Sequence, residues 1–119
     1  MVLVAEETGG TLKVRRWMLK DIAEAVYMLL NLIPIGKVTS YGSIARVLKI
    51  SPRLVGLALK MNKDPIIIPC HRVVRSDGSL GGYTPHGIGF KLKLLKVEGV
   101  KFIDSKVCKD SMLDTRELI

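Results

Sequence analysis

The chain has 119 residues, of which 48 % are hydrophobic and 25 % are charged. This length and composition predict one soluble globular domain and exclude a chain that is disordered throughout. Nineteen Lys and Arg residues against eleven Asp and Glu residues give a formal net charge of +8. A basic surface attracts polyanions, of which nucleic acid is the most common, although a basic surface that only keeps the protein soluble has the same composition.

Cysteine and histidine are scarce, since Cys70, Cys108, His71 and His86 are all that the sequence contains. Two cysteines 38 positions apart form no disulfide framework, which favours a reducing compartment. Two histidines and two cysteines at these spacings are not a zinc motif. The N-terminus has no long apolar run, so we expect no signal peptide and no spanning helix. The expected location is cytoplasmic or nucleoid-associated, or nuclear in a eukaryote.

The first half of the chain predicts a hairpin and a long helix. Residues 2–7 and 11–15 flank Thr8-Gly9-Gly10, which is typical of a short hairpin with a glycine turn. Pro34 and Gly36 are expected to end the helix that follows. Apolar residues at steps of three and four predict that helix, and they are Leu19, Ile22, Ala23, Val26, Leu29, Leu30 and Ile33.

Two short helices joined by a tight turn are predicted next. Ser40 can cap a helix that runs through Leu48. Ser51 can cap a second helix, with Pro52 at its first position, that runs to about Met61. This pair has the outline of a helix-turn-helix.

After this pair the predicted elements are shorter. Residues 65–70 form an apolar run, bounded by prolines, which we expect to be extended and to cross the core. A polar, glycine-rich loop covers 75–84, and a last helix covers 88–98 and stops at Gly99. The tail from Val100 contains charges of both signs, and we expect only part of it to pack against the rest of the domain. Ile88, Leu92 and Leu95 are expected to form one face of the last helix, and Lys91, Lys93 and Lys96 to lie on its other faces.

Cys70 is the residue with the most chemical interest, but the residues alone leave its role open. An isolated cysteine in an apolar segment is usually a small buried hydrophobe without reactivity. A thiol of pKa about 8.5 is mostly protonated at pH 7, and a paired histidine lowers that value. His71 is adjacent in sequence, yet neighbours in an extended segment point to opposite faces. A water bridging the two side chains is therefore more plausible than direct contact.

Several ordered motifs resemble one protein family. Ile-Pro-Cys-His-Arg-Val-Val at 68–74 is similar to the active-site signature of the O6-alkylguanine-DNA alkyltransferases. The resemblance extends over residues 17–99, most of the chain. It includes 33–45 before the helix-turn-helix, 53–58 in its recognition helix, Asn62 and Pro65 before the cysteine, and 81–83 and 93–99 at the pocket.

The resemblance implies a role for each matching residue. Cys70 would accept the alkyl group, and His71, oriented by Glu98, would take the thiol proton through a water. Asn62 would hold the turn around the cysteine, and Tyr41 would donate a proton toward the guanine ring as it leaves. As alternatives that need no catalysis, Glu98 could be a helix-end carboxylate facing water and Tyr41 a core residue. We expect Arg72 to lock structure through an ion pair and Tyr83 to serve loop packing.

The resemblance also implies how DNA is held. Arg53 would fill the gap left by a flipped nucleotide, although a plain surface arginine is the alternative. The small and apolar residues beside Arg53, which are Pro52, Leu54 and Gly56, would suit an approach to the minor groove. The carbonyls of Cys70 and Val73 would read the exocyclic amine of guanine, and the backbone near Thr84 would face its O6 atom. The remaining implied contacts are Pro52, Leu54, Gly56 and Ser76 on DNA, Pro65 in the alkyl pocket, and Lys37, Lys60, Lys63 and Lys91 on phosphates.

The fold and activity that the resemblance implies can be stated together. We expect a mainly α fold with a small β component, in which a winged-helix-like helix-turn-helix domain carries the cysteine. Residues 1–16 would be a short N-terminal extension, 17–103 the catalytic and DNA-binding domain, and 104–119 a C-terminal tail. The activity would be a single, irreversible transfer from O6-alkylguanine, and also from O4-alkylthymine, in double-stranded DNA. No cofactor, metal, membrane or obligate protein partner is expected, and the protein would act as a monomer or as one domain of a fusion.

The chain departs from the family pattern in two places, and other functions compete with this one. The separate N-terminal domain of relatives has no counterpart, and the loop at 84–87 is one residue longer than usual, which leaves the role of His86 open. Cys108 is expected to be a core residue.

Alkyltransferase-like proteins bind lesions without repair but typically replace the cysteine. A transcription regulator would leave 69–72 unexplained, and a cysteine hydrolase would need an oxyanion hole for which no motif is present.

Overall fold

The computed structural model describes residues 3–8, 11–16, 18–64, 67–81 and 87–118. Within these ranges the chain is mainly α with small two-stranded sheets, which confirms the predicted fold class. The elements in chain order are β1 (Leu3–Thr8), β2 (Thr11–Arg16), α1 (Leu19–Asn31), β3 (Thr39–Ser40), α2 (Tyr41–Leu48), α3 (Pro52–Lys60), a 3-10 turn (Cys70–Arg72), β4 (Val73–Val74), α4 (Gly87–Val97), β5 (Phe102–Ile103), β6 (Lys106–Val107) and two further 3-10 turns (Lys109–Ser111 and Thr115–Leu118).

The N-terminal strands form the predicted hairpin. β1 and β2 pair antiparallel in a register that runs from Leu3 opposite Arg16 to Thr8 opposite Thr11. The register leaves two residues for the connection, which agrees with a tight turn. Gly9 and Gly10, predicted to form that turn, lie outside the described residues.

α1 follows the apolar stripe that predicted it. The Met18 N–H donates to the Asp21 carboxylate over 2.9 Å and so satisfies one of the free donors at the helix start. The buried face consists of Ile22, Ala23, Val26, Leu29 and Leu30. The helix ends at Asn31, earlier than predicted, and Ile33 is buried beyond its end.

The predicted helix-turn-helix is confirmed in α2 and α3. The Ser40 hydroxyl accepts from the Ser43 N–H over 3.0 Å, and the Ser51 hydroxyl accepts from the Leu54 N–H over 3.3 Å. Lys49 ends α2 in the left-handed region, with φ of 57°, and turns the chain toward α3. Both helices therefore begin at the predicted cap residues.

α1 and α3 enclose the main core. Val26 and Leu30 from α1 are fully buried, as are Val55 and Ala58 from α3. Full burial of a Val or Leu side chain contributes roughly 1.5–3 kcal/mol. The Tyr27 hydroxyl donates to the Ala58 carbonyl over 2.7 Å and ties the two helices together. This packing presents the N-terminal end of α3 on the surface.

The segment around the cysteine differs from the prediction. Ile67 is 78 % exposed and does not cross the core, and Pro65 and Ile66 lie outside the described residues. Cys70–Arg72 form a 3-10 turn instead of an extended run. The chain becomes extended only in β4, which pairs parallel with β3. Prolines restrict the run before the turn, and the turn lets consecutive side chains be buried together.

The tail packs against the helix-turn-helix more closely than its composition suggests. The Ser43 hydroxyl lies 2.8 Å from that of Thr115 and also accepts from the Thr115 N–H over 2.8 Å. Val107 is 6 % exposed, and Val38 pairs with Met112 in an isolated β-bridge. The tail therefore supports α2 through Ser43.

α4 corrects the predicted division into faces. Ile88 is 52 % exposed, whereas Lys91, predicted on a polar face, is fully buried. Gly99 follows the helix with φ of +90°, which confirms it as the C-terminal stop. No helix among the described residues is long and apolar enough to cross a membrane.

Candidate active site

Cys70 and His71 lie together in the 3-10 turn. The Cys70 N–H donates to the Ile68 carbonyl over 2.7 Å, and the Arg72 N–H donates to the Pro69 carbonyl over 3.0 Å. Cys70 is 5 % exposed and His71 is 1 % exposed. The turn thus buries two neighbouring side chains that an extended segment would have separated.

Glu98 contacts two consecutive residues of the turn, His71 and Arg72. Its carboxylate lies 3.1 Å from Nε2 of His71 and receives two hydrogen bonds from Arg72, over 3.0 and 2.7 Å. A third Arg72 hydrogen bond reaches the Ile33 carbonyl over 2.9 Å. Glu98 is therefore not a carboxylate that faces only water, and Arg72 makes the predicted ion pair.

These contacts set the charge states of the pair. Burial lowers the pKa of His71 below its ordinary value, while the Glu98 hydrogen bond and charge act in the opposite direction. Burial opposes ionisation of Glu98, but hydrogen bonds from Arg72 and His71 outweigh it and hold the pKa of the carboxyl below its ordinary value. At neutral pH the pair consists of a neutral imidazole and a carboxylate. The imidazole can therefore accept a proton.

The second nitrogen of His71 faces away from Glu98. Nδ1 is buried and has no hydrogen-bond partner among the described residues. A buried polar nitrogen without a partner is costly, so such atoms are usually met by water or by a reacting group. Cys70 and His71 share no direct hydrogen bond, and Nδ1 is the atom left to act on a proton near the thiol.

Asn62 supports the turn indirectly, through the carbonyl of Ile68, which precedes Cys70 by two residues. Its Nδ2 donates to the Ile68 carbonyl over 3.1 Å, the same carbonyl that accepts from the Cys70 N–H. Its Oδ1 accepts from the Asp64 N–H over 2.9 Å. The side chain therefore links the end of α3 to the approach to the cysteine without touching Cys70 or His71 themselves.

A cavity of about 690 Å³ opens above Cys70 between α2, α3 and the loop after β4. It combines the cysteine with residues from three parts of the chain and with three cationic side chains. Its lining consists of Tyr41, Gly42, Pro52, Arg53, Gly56, Leu59, Lys60, Cys70, Arg75, Ser76 and Gly81. Burial raises the pKa of Tyr41, while the charge of Arg75 acts in the opposite direction, so the phenol is protonated at neutral pH.

The structure brings only part of the predicted set of DNA-contact residues together at the cavity. Arg53, Pro52, Gly56 and Ser76 line the cavity. Leu54 does not, because it packs against the hydrophobic core. The Val73 side chain is also buried in the core. Pro65 and Thr84, and with them Gly82, Tyr83 and His86, lie outside the described residues.

One lysine differs from its predicted role, and one arginine at the cavity had no predicted role. Lys91 cannot contact a phosphate on the surface because it is fully buried. Arg75, which the sequence did not single out, lines the cavity. The sequence signal for Arg75 was its position, five residues after the cysteine, on a loop predicted to border the site. Of the other lysines, Lys60 lines the cavity, and Lys37 donates to the Asp110 carbonyl.

The described residues contain no group of three or more His, Cys, Asp or Glu side chains arranged to hold a metal ion.

Cys108 is half-buried in the tail, whereas a core position was expected, because its segment lies at the edge of the β5–β6 hairpin. The described part of the site offers one cysteine, a histidine–carboxylate pair, a phenol and a basic rim.

Comparison with known proteins places this geometry in a family. The family described as 6-O-methylguanine DNA methyltransferase, DNA binding domain, matches residues 21–100, which include Cys70, His71 and Glu98. The chain belongs to this family. The match begins after the N-terminal hairpin and ends before the C-terminal tail.

Relatives with curated names cover the same region. A methylated-DNA–protein-cysteine methyltransferase of Pyrobaculum aerophilum is 50 % identical over 84 residues, which are 69 % of this chain and 56 % of the relative. Another of that name from Thermococcus kodakarensis is 44 % identical over 89 residues, covering 75 % and 44 % of the two chains. The chain thus spans about half the length of these family members.

Solved structures agree with the fold. OGT of Mycobacterium tuberculosis in complex with DNA is 42 % identical, with a TM-score of 0.62 over 66 % of this chain and 50 % of that one. S. pombe Atl1, in complex with damaged DNA containing O6-carboxymethylguanine, is 29 % identical with a TM-score of 0.70. That match covers 82 % of this chain and 98 % of Atl1.

Proposed function

We propose that this protein repairs alkylated double-stranded DNA by moving the alkyl group from O6 of guanine, and from O4 of thymine, onto Cys70. The observation that carries the proposal is that Cys70 lines a cavity of about 690 Å³ and is followed directly by His71, which contacts Glu98. Membership of the family and the names of its relatives support the same chemistry. Each molecule reacts once, because a thioether is stable to the side chains that line the described part of the cavity.

The proton steps follow from the charge states of the site. Nδ1 of neutral His71 takes the thiol proton through a water, and Glu98 stabilises the imidazolium that results. The Cys70 thiolate attacks the alkyl carbon, so the carbon–sulfur bond forms as the carbon–oxygen bond breaks. The departing guanine takes a proton from the Tyr41 phenol, which solvent then replaces. The protein is itself the acceptor, so the reaction uses no cofactor.

Binding to DNA uses the basic rim and α3. The cavity is bordered by Arg53, Lys60 and Arg75, on a protein of net charge +8, so affinity for duplex DNA falls steeply as salt rises. A paired guanine cannot reach Cys70, so the nucleotide must be flipped out at a cost of a few kcal/mol. Arg53 is exposed on the first turn of α3. Its side chain occupies the gap that the flipped nucleotide leaves in the DNA helix. The protein acts as a monomer.

A second candidate is lesion binding without repair. The similarity to S. pombe Atl1, which extends over 98 % of that chain, is the observation in its favour. The nucleophile with its complete histidine–carboxylate pair favours transfer instead, since binding alone requires neither.

Intact-mass spectrometry distinguishes the two candidates. The protein is mixed with excess duplex DNA that contains one O6-methylguanine, beside a Cys70→Ala control. We expect one methyl group in place of one hydrogen, no more than one per molecule, and none in the control. Tight lesion-selective binding without a mass change would instead support lesion binding. An unchanged mass together with equal affinity for damaged and undamaged DNA would refute both.

A further inference from the structure

The end of the described chain forms a strap along the helix-turn-helix. We define the strap as residues 109–118, which comprise the 3-10 turns Lys109–Ser111 and Thr115–Leu118 and the link between them. It lies outside residues 21–100, the region that matches the family. At its far end Leu118 packs against the main hydrophobic core. The strap is therefore a packed part of the domain to which the proposed reaction assigns no role.

The strap is fastened first to the chain just before α2. The Val38 N–H donates to the Ser111 carbonyl over 2.8 Å, and the Leu113 N–H donates to the Val38 carbonyl over 2.7 Å. These hydrogen bonds form the parallel bridge between Val38 and Met112. Val38 and Ser111 are both buried. Buried backbone groups need such partners, so the bridge fixes the course of the chain three residues before Tyr41.

The strap is fastened again to the first turn of α2. The Thr115 N–H donates to the Ser43 hydroxyl over 2.8 Å, and the hydroxyls of the two residues lie 2.8 Å apart. Both side chains are buried, where a hydroxyl without a partner is costly. The Ser43 N–H in turn donates to the capping hydroxyl of Ser40 over 3.0 Å. The Ser43 hydroxyl is thus the point at which the strap holds α2, two residues after Tyr41.

Tyr41 lies between these two attachments and lines the cavity. The two residues that precede it, Thr39 and Ser40, pair with β4, so the strap holds the outer ends of a segment whose middle is held by the sheet. A Cβ on Gly81 would lie 3.3 Å from the Tyr41 hydroxyl, which places this hydroxyl at the cavity wall. A proton donor works only within hydrogen-bond reach of its acceptor, about 2.6–3.2 Å. The position of this short segment therefore decides whether the phenol can act.

We propose that the strap is a positioning element for the transfer, in which the contact between Ser43 and Thr115 holds the Tyr41 phenol where the departing guanine takes its proton. Neither Ser43 nor Thr115 is among the residues that line the cavity, so both act through Tyr41. The inference rests on the proposed function, which assigns the proton donation to Tyr41. The position of the phenol can be measured without DNA, so the two can fail separately.

The first test is the single-turnover rate with duplex DNA that contains O6-methylguanine. Ser43→Ala removes the hydroxyl that holds the strap, Thr115→Val removes the second hydroxyl at nearly constant volume, and Thr115→Ser keeps it. Glu117→Gln, at an exposed position of the strap, is the control. We expect Ser43→Ala to be about tenfold slower, a part of what a general acid contributes. Thr115→Val should also be slower, whereas Thr115→Ser and the control should match the parent protein.

Two further rates separate positioning of the phenol from general damage. Iodoacetamide alkylates Cys70 with loss of iodide, which needs no proton, so this rate, followed at the Cys70 peptide after digestion, should be the same in every variant. In a Tyr41→Phe background Ser43→Ala should cause no further loss of transfer, because no phenol is left to position. A loss of iodoacetamide reactivity in Ser43→Ala, or a transfer deficit of unchanged size in the Tyr41→Phe background, would overturn the proposal. If thermal melts show that Ser43→Ala is unfolded, Thr115→Val against Thr115→Ser decides.

The titration of Tyr41 tests the inference without DNA. Burial raises the pKa of this phenol above the ordinary 10.0, so a phenol released by the strap should titrate closer to that value. With tyrosine isotopically labelled at Cζ, the Tyr41 resonance is identified by its loss in Tyr41→Phe and followed by NMR as pH rises. We expect its pKa to fall in Ser43→Ala and to stay unchanged in Glu117→Gln.

The outcomes of this titration are separate from those of the transfer assay. An unchanged pKa of Tyr41 in Ser43→Ala would overturn the proposal. A parent protein that transfers no methyl group, but in which Ser43→Ala lowers the pKa of Tyr41, would refute the proposed function. That result would leave the hold of the strap on Tyr41 standing.

Discussion

Nε2 of His71 lies 3.1 Å from Oε2 of Glu98, and Arg72 donates to the same carboxylate. The carboxylate therefore orients the imidazole and is itself held in place by a guanidinium. This arrangement fixes which nitrogen of His71 is left for the cysteine side, because Nε2 is occupied by Glu98. The consequences for rate and pH dependence can each be measured.

Glu98→Gln should slow the transfer by about a hundredfold, the lower end of general acid–base effects. The amide cannot balance the positive charge that forms on His71, and it leaves Arg72 without its carboxylate partner. The measurement is the single-turnover rate with duplex DNA that contains O6-methylguanine. Glu24→Gln, at an exposed position of α1, is the matched control. Equal rates in the two variants would show that the pair has no part in the reaction.

The pH profile should follow His71. Burial lowers its pKa from the ordinary 6.5, so we expect the transfer rate to hold from pH 7.5 to 6.5 and to fall only at lower pH. Because the folded protein binds this proton less readily than the unfolded chain, the stability linked to His71 is present above pH 6.5. That stability is lost as pH falls through the lowered pKa. Urea unfolding of the protein and of His71→Asn at several pH values tests this, and identical pH slopes would contradict it.

Arg53→Ala should slow transfer from duplex DNA without destabilising the protein. The side chain is exposed at the start of α3 and lines the cavity, so its removal leaves the core intact. We expect the rate with duplex DNA to fall about tenfold or more, while the iodoacetamide rate at Cys70 stays unchanged, because only duplex DNA requires a nucleotide to be flipped. Arg46→Ala, exposed on α2 outside the cavity, is the control. A similar loss in both variants would point to general charge instead.

Gly81→Ala should distort the cavity wall. Gly81 has φ of +69°, and a Cβ there would lie 3.3 Å from the Tyr41 hydroxyl and 3.6 Å from Cγ of Arg75. We expect roughly 1 kcal/mol of lost stability from the backbone strain, with a slower transfer as Tyr41 is displaced. No described residue comes within 4 Å of a Cβ at Gly89 on α4, so Gly89→Ala should instead stabilise the helix by up to about 1 kcal/mol. Unchanged rate and stability in Gly81→Ala would refute this role for the glycine.

The sequence by itself determined most of the secondary structure and singled out Cys70 as the candidate nucleophile. Ser40, Ser51 and Pro52 mark the starts of α2 and α3 because capping is a local interaction between residues a few positions apart. The apolar stripe of α1 is equally local, and the motif around Cys70 identified the family before any contact was known. These features depend on spacing along the chain, so spacing was enough to find them.

Only the tertiary structure decided how the site is held together. The meeting of Glu98 with Arg72 and His71 and the burial of Lys91 against the Val73 carbonyl each join segments distant in sequence. The periodicity of α4 gave the wrong face for Lys91, because a long side chain can be buried when carbonyls from another loop satisfy its ammonium. Whether a charged side chain faces water or the core depends on which hydrogen-bond acceptors lie near it. The sequence alone does not show where those acceptors lie.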